Sequence, residues 1–172
     1  MPTSTRHPAV KGQPDLPWMM ASLPRILALG FGSGLIRPAP GTWGTLAGWL
    51  VWVALLQHLP FALAGGWVML AFVLGCWLCQ RVGAELGVPD HGAMVWDEMV
   101  ALWLILWLVP GTWTVQLVAV VLFRVFDIIK PPPIRFFDRR LPNGFGVMWD
   151  DILAALYSLL VLWVMFQLGW LA

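Results

Sequence analysis

Five apolar runs alternate with short polar or proline-containing breaks along the chain, at residues 43–59, 66–80, 99–109, 113–129 and 152–168. Runs of this length predict helices rather than strands. A membrane span needs about 20 residues, and several of the runs are at or below that length. The third run is long enough only if it starts near Met94, which would bring Asp97 and Glu98 to the membrane boundary. The pattern predicts an all-α bundle with about four to five apolar helices.

The composition indicates that this bundle is a membrane protein. Hydrophobic residues make up 60% of the chain and charged residues only 11%, whereas soluble domains are roughly half apolar and about a quarter charged. We expect one polytopic membrane domain at residues 25–172. A cytoplasmic lead at residues 1–24 precedes it, partly disordered or lying on the surface. The net charge of +1, with acids and bases interleaved, predicts no nucleic-acid partner.

The charged residues are expected to lie on one side of the membrane. If the five runs alternate in direction, the connections at 59–66 and 110–112 and the tail at 169–172 share one side and contain no Lys, Arg, Asp or Glu. The positive-inside rule then places the other, charged side in the cytoplasm. Ionisable residues at the ends of membrane helices are functional by default, so we expect a one-sided cytoplasmic active site.

The most charged stretch runs from residue 123 to residue 151. If the fourth helix continues to residue 129, Arg124, Asp127 and Lys130 share one face, and two cations flank one carboxylate. Three consecutive prolines at 131–133 must end that helix, because proline lacks an amide hydrogen and pushes the preceding residue out of the α region. A basic loop at 135–140 is expected to follow.

Acidic pairs recur at two predicted helix starts. Asp97 and Glu98 lie in MVWDEMVA, and Asp150 and Asp151 lie in VMWDDILA, where they are expected to open the last helix. Together with Asp127, these pairs supply up to five carboxylates from three helix ends. Carboxylates at that density repel one another unless a cation lies among them, and oxygen ligands favour Mg²⁺ or Mn²⁺.

A glycine-rich segment at residues 28–45 has two interpretations. It is a loop before a helix with Thr42 as the N-cap, or its amides and hydroxyls form an anion cradle at a helix N-terminus. The candidate phosphate-binding residues of this segment are Gly32, Ser33, Gly41, Thr42 and Thr45.

Acids that hold a divalent ion, next to Arg124 and Lys130, suit a phosphorylated substrate, because a carboxylate can activate water while the cations neutralise charge. A membrane divalent-cation carrier is the alternative from another class, but it predicts acids on both sides of the membrane or at mid-depth. A lipid transferase would need several acids at i, i+4 spacing on one helix pair, and this motif is missing from the sequence.

Four blocks, at residues 31–48, 90–98, 123–139 and 144–154, resemble the signature blocks of the phosphatidylglycerophosphatase A family. The resemblance covers roughly residues 25–170. It implies an all-helical, multi-pass enzyme of the bacterial inner membrane, active in phospholipid biosynthesis. Such an enzyme depends on Mg²⁺ and removes the terminal phosphate of phosphatidylglycerophosphate to give phosphatidylglycerol. The implied partners are this lipid and the bilayer; no oligomeric state is predicted.

The family's acidic positions match five residues of this chain: Asp97, Glu98, Asp127, Asp150 and Asp151. We interpret these five as the catalytic residues, acting as metal ligands or as the base. Arg124 and Lys130 match as well, and we expect them to bind phosphate together with the glycine-rich segment. Two positions depart from the family, which usually has glycine where this chain has Ala101 and Ala155. Arg37 is not carried over as a site residue.

Overall fold

The structure is a computed structural model that describes residues 13–171, apart from the side chains of residues 137–139. All elements of this part are helical, which confirms the predicted all-α class. They are α1 (Leu16–Met20), α2 (Leu23–Ala28), α3 (Pro40–Ala54), α4 (Phe61–Leu86), α5 (Trp96–Leu108), α6 (Trp113–Ile129), α7 (Ile134–Arg140) and α8 (Gly144–Gln167), with short 3₁₀ helices at Gly30–Leu35 and Leu56–His58.

Two of the described helices, α4 and α8, are long and apolar enough to cross a membrane by length and composition. They have 26 and 24 residues. The helices α3, α5 and α6 have 15, 13 and 17 residues, at or below the lower end of the spanning range. Two apolar helices favour membrane association, and the larger number of spans stays a prediction.

Helix α5 lies in the core, and most of its residues are buried. Two of its tryptophans fasten it to neighbouring helices, because a buried indole N–H needs an acceptor. Trp96 donates to the Ala71 carbonyl of α4 at 3.0 Å, and Trp103 donates to the Gly48 carbonyl of α3 at 2.8 Å. The position of the acidic start of α5 is therefore fixed from two sides.

Small residues let α8 lie close to α4. A β-carbon at Gly75 would lie 2.5 Å from Met148 Sδ, and one at Gly144 would overlap the Cys76 carbonyl. The Gly144 amide also donates to Gln80 Oε1 at 2.9 Å. Glycine at a helix contact allows two backbones to approach, so the start of α8 lies against the second half of α4.

Helix boundaries differ from the sequence prediction at several places. Helix α3 begins at Pro40 with Ala39 at the N-cap, not at Thr42, because proline fits the first helical position, where no amide is needed. The expected basic loop at 135–140 lies within α7. Helix α4 continues past residue 80 to Leu86, since Arg81 and Glu85 pair on its surface and polar residues do not stop a helix.

Helix α8 also begins earlier than expected. Its first residue is Gly144, capped by Asn143, whose side chain accepts a hydrogen bond from the Gly146 amide at 2.8 Å. Asp150 and Asp151 therefore lie about two turns inside α8 and do not open it. Asparagine is a preferred N-cap residue, so Asn143 does mark the start of the helix in the sequence. The prediction relied instead on the apolar run that follows the two acids, and it therefore placed the start too late.

The described part of the predicted lead, residues 13–24, contains α1 and the beginning of α2. Arg25 connects it to the bundle: its Nε lies 2.7 Å from Glu85 Oε2 of α4, and its guanidinium lies over the Trp18 ring at 4.2 Å. Residues 1–12 lie outside the described residues, so the prediction for them stays a prediction.

Candidate active site

Arg124, near the end of α6, joins three helices. Its Nη1 donates to Asp127 Oδ2 at 2.8 Å on the same helix and lies 3.1 Å from Glu98 Oε1 of α5. The same nitrogen is 3.4 Å from Thr45 Oγ1 of α3. The predicted shared face of Arg124 and Asp127 is confirmed. Each of the three charged side chains is at most 16% exposed, so these ion pairs are shielded from water.

Lys130 connects α6 to α8. The prolines at 131–133 end α6 at Ile129, as predicted, and Lys130 caps the helix in the left-handed conformation, with φ 44°. Its Nζ lies 2.5 Å from Asp150 Oδ2. The expectation that Lys130 and Arg124 together flank Asp127 is therefore replaced: the left-handed turn carries Lys130 off the helix face, and its ion pair with Asp150 bridges two helices.

Gly41 brings the first turn of α3 against the acid of α5. A β-carbon at Gly41 would overlap Glu98 Oε1, so a larger residue there would require the Glu98 carboxyl group to move. Thr45, fully buried, donates its hydroxyl to the Gly41 carbonyl at 2.9 Å. A helix N-terminus carries partial positive charge, and the first turn of α3 places that charge beside the Glu98 side chain.

Asp97 and Asp151 are the most isolated acids of the cluster. Both residues are buried, at 6% and 5% exposure, and within residues 13–171 neither forms an ion pair. Asp97 Oδ1 accepts the Glu98 amide at 3.0 Å. Asp151 Oδ2 and Glu98 Oε2 are buried with no hydrogen-bond partner in the described part. Among the described side chains, Arg124 and Lys130 pair with Glu98, Asp127 and Asp150.

The acids could hold a metal ion by their chemistry but do not form a ready ligand group. In the part of the chain that the structure describes, no three His, Cys, Asp or Glu side chains are arranged to hold a metal. Glu98, Asp127 and Asp150 point at Arg124 or Lys130 instead. The partnerless oxygens of Glu98 and Asp151 are hard donors of the type that Mg²⁺ takes.

Residues 26–166 match the family model described as Phosphatidylglycerophosphatase A. The chain belongs to the phosphatidylglycerophosphatase A family. A relative of that name from Haemophilus influenzae is 53% identical over 137 residues, which are 79% of this chain and 84% of the relative. Another, from Escherichia coli, is 43% identical over 134 residues, 77% of each chain.

A third relative is named putative phosphatidylinositol-3-phosphatase and comes from Bacteroides thetaiotaomicron. It is 39% identical over 149 residues, 81% of this chain and 91% of the relative. No solved structure matches the chain. The phosphatidylglycerophosphatase A match contains the whole acid cluster, since residues 97–151 lie within 26–166.

The glycine-rich segment of this phosphatidylglycerophosphatase A family member reaches the cluster only in part. Gly41 and Thr45 contact its residues, as described above. Ser33 donates its hydroxyl to the Gly30 carbonyl at 2.8 Å, and Gly32, with φ 102°, lies near Met19. No described contact joins Gly32, Ser33 or the Thr42 side chain to the acids. A phosphate-binding role for these three residues stays a prediction.

A cleft that was not predicted from the sequence lies at the start of α3 and just before α5. It has a volume of about 630 Å³ and is lined in part by Arg37 and His91. His91 was within reach of sequence reasoning because it lies in the block DHGAMVWDE, six residues before Asp97. Arg37 gave no such signal, since it precedes a proline in a segment that resembles a simple turn.

Proposed function

We propose that this protein is a phosphatase that hydrolyses the terminal phosphate monoester of phosphatidylglycerophosphate and leaves phosphatidylglycerol, in phospholipid synthesis. The observation that carries the proposal is the family match over residues 26–166, with relatives of that name at 53% and 43% identity. The geometry supports it, because cations and acids that suit a phosphate group meet within the matched region.

Arg124 and Lys130 bind the phosphate oxygens in this proposal. Both cations are engaged by carboxylates in the structure, so an arriving phosphate takes the place of those partners. Charge-assisted hydrogen bonds from guanidinium and ammonium groups to phosphate are strong. When the substrate binds, this exchange frees a carboxylate of Glu98, Asp127 or Asp150, which can then take part in the reaction.

Hydrolysis then requires one proton acceptor and one proton donor. The oxygen of a water molecule attacks phosphorus, and the bond from phosphorus to the glycerol oxygen breaks. A carboxylate of the cluster accepts the proton of the attacking water, and a protonated acid returns a proton to the departing alkoxide. Glu98 and Asp151 are placed for proton transfer, since each has a buried oxygen with no partner in the described part.

Mg²⁺ is part of the proposal. The residues that would hold it are Asp97, Glu98, Asp127, Asp150 and Asp151, and once bound it would neutralise charge on the phosphate. Manganese is a plausible substitute, because it also prefers oxygen ligands.

The proposed location is the bacterial inner membrane, with several spans and the acid cluster on the cytoplasmic side. Helices α4 and α8 support membrane association. Many large apolar side chains along these helices are exposed, for example Leu63, Leu70 and Leu160, and exposed apolar surface of this kind suits contact with lipid. The positive-inside rule supports the orientation.

Phosphate release from phosphatidylglycerophosphate by the purified protein in detergent tests the proposal. We expect rapid release with Mg²⁺ and none in excess chelator. Phosphatidylinositol 3-phosphate is the comparison substrate, because one relative is named for it; faster release from that lipid would change the proposed substrate. No release from either lipid, together with Mg²⁺ uptake into sealed proteoliposomes, would favour the cation carrier.

A further inference from the structure

A cleft with its own cation opens next to the acid cluster. Its volume is about 630 Å³, and the residues that line it include Arg37, Ala39, Pro40, His91 and Ala93. Three other cavities of the described part carry neither Arg nor Lys in their linings. The cleft is thus equipped for an anion in a way that these cavities are not.

Arg37 is available to a ligand. Its side chain is exposed, and within residues 13–171 the structure records no hydrogen bond or ion pair for it. An arginine guanidinium offers five donors and recognises phosphate oxygens well. Nothing in the described part of the chain competes for those donors.

His91 adds a neutral donor to the same cleft. Its Nδ1 accepts the Ala93 amide at 3.1 Å, so the neutral ring carries its proton on Nε2. Burial lowers the pKa of His91, and the positive charge of Arg37 lowers it further, against an opposing effect of Asp90. His91 is therefore neutral near pH 7 and can donate one hydrogen bond through Nε2.

The cleft adjoins the acids along two short chain segments. Ala39 and Pro40 lead directly to Gly41, which lies against the Glu98 carboxylate. On the other side, Ala93 lies four residues before Asp97. The cleft and the acid cluster therefore share the first turn of α3 and the short segment that leads into α5.

We propose that Arg37 and His91 bind the phosphodiester group of the lipid whose terminal phosphate lies at the acid cluster. This inference rests on the proposed function. Phosphatidylglycerophosphate carries two phosphates joined by one glycerol, a monoester that is removed and a diester that remains. A cation cleft beside a phosphatase site would bind the diester and so distinguish this lipid from those with a single phosphate. Arg37 is a specificity-determining residue in this scheme, while bond cleavage occurs at the acids.

Inhibition kinetics on the full-length protein in detergent micelles test the assignment. The variants are Arg37→Gln, Arg37→Lys and, as a matched control that removes the same charge elsewhere, Arg81→Gln on α4. The substrate is phosphatidylglycerophosphate, with KM expressed as its mole fraction in the micelle. Two inhibitors separate the subsites: phosphatidylglycerol carries only the diester, and inorganic phosphate resembles only the monoester.

We expect Arg37→Gln to raise KM about tenfold, equivalent to ~1.4 kcal/mol of binding, with kcat nearly unchanged. The inhibition constant of phosphatidylglycerol should rise by a similar factor, and that of inorganic phosphate should stay the same. Arg37→Lys should recover most of the lost affinity. Arg81→Gln should have the same KM and inhibition constants as the unchanged protein.

Three results would overturn the inference. The first is an unchanged KM in Arg37→Gln. The second is an inhibition constant that rises by the same factor for inorganic phosphate as for phosphatidylglycerol. The third is a KM that rises as much in Arg81→Gln as in Arg37→Gln. If the unchanged protein releases no phosphate from phosphatidylglycerophosphate, the proposed function fails and the inference fails with it. An active protein whose Arg37→Gln variant behaves normally refutes the inference alone.

Discussion

The ion pair between Lys130 and Asp150 can be tested for function separately from its contribution to stability. Lys130 Nζ lies 2.5 Å from Asp150 Oδ2. The Lys130 side chain is 24% exposed, whereas the Asp150 side chain is only 4% exposed. Removing one member of a buried ion pair costs up to about 3–5 kcal/mol, because the charge left behind is poorly solvated. The loss of stability should therefore depend on which member of the pair is removed.

Asp150→Asn should destabilise the protein by roughly 1–2 kcal/mol, because the remaining ammonium is partly exposed and can be hydrated. Lys130→Gln should cost ~3 kcal/mol or more, since the carboxylate that loses this cation is almost fully buried. The double variant should recover part of that loss, because neither charge remains. Thermal unfolding in detergent, followed by circular dichroism, gives the order of the three variants.

Phosphatase activity should follow a different pattern. If Lys130 binds phosphate and Asp150 is a metal ligand, each single variant loses at least about 100-fold in kcat, or ~2.7 kcal/mol of transition-state stabilisation. The double variant should be equally inactive although its stability is partly restored. Recovery of activity in parallel with stability would refute the reasoning, because it would show that the pair only holds α6 against α8.

Three further predictions concern the acids, the metal and the membrane. Asp127→Asn should lower turnover by at least about 100-fold while circular dichroism stays unchanged, whereas Asp15→Asn at the exposed N-cap of α1 should keep normal turnover. Activity should disappear in EDTA and return with Mg²⁺; full activity in excess chelator would limit the acids to proton transfer. In a background without native cysteines, Arg140→Cys should react with an impermeant thiol reagent only in inverted vesicles and Gly111→Cys only from outside, and the reverse pattern would place the acid cluster outside the cell.

The five helices α3, α4, α5, α6 and α8 were accessible to sequence reasoning, because each apolar run is longer than a strand and its breaks contain proline or charge. The end of α6 was predicted for a local reason, the prolines at 131–133. The starts of α3 and α8 were not predicted correctly, because each has more than one possible helix-start residue nearby in the sequence. At Asn143 the N-cap lies seven residues before the first acid, and hydrophobicity alone does not reveal a helix that begins with glycines.

The acid cluster was predicted as a set, but its partners were not. Sequence spacing correctly gave the Arg124 and Asp127 pair, because i, i+3 neighbours share a helix face. It gave no information on contacts between helices, such as Gly41 against Glu98 or Lys130 with Asp150. These contacts depend on the left-handed cap at Lys130 and on a glycine at a helix crossing, and both are set by tertiary packing.

The charge of the cluster indicates at which step a metal would act. Among the side chains that the structure describes, five carboxyl groups lie with two cations, and protonation or a bound cation can relieve the repulsion between like charges. A phosphate monoester adds roughly −1.5 to −2 charges at pH 7. Because that charge must approach several carboxyl groups, Mg²⁺ should be required to bind the substrate as well as to cleave it.

Binding and cleavage can be separated with an inactive variant. Asp127→Asn should retain part of its affinity for phosphatidylglycerophosphate in Mg²⁺, because four of the five acids remain, and should lose most of that affinity in EDTA. Quenching of tryptophan fluorescence during lipid titration in micelles measures this affinity under both conditions. Equal affinity with and without Mg²⁺ would mean that Arg124 and Lys130 alone overcome the repulsion, and the metal would then be confined to the chemical step.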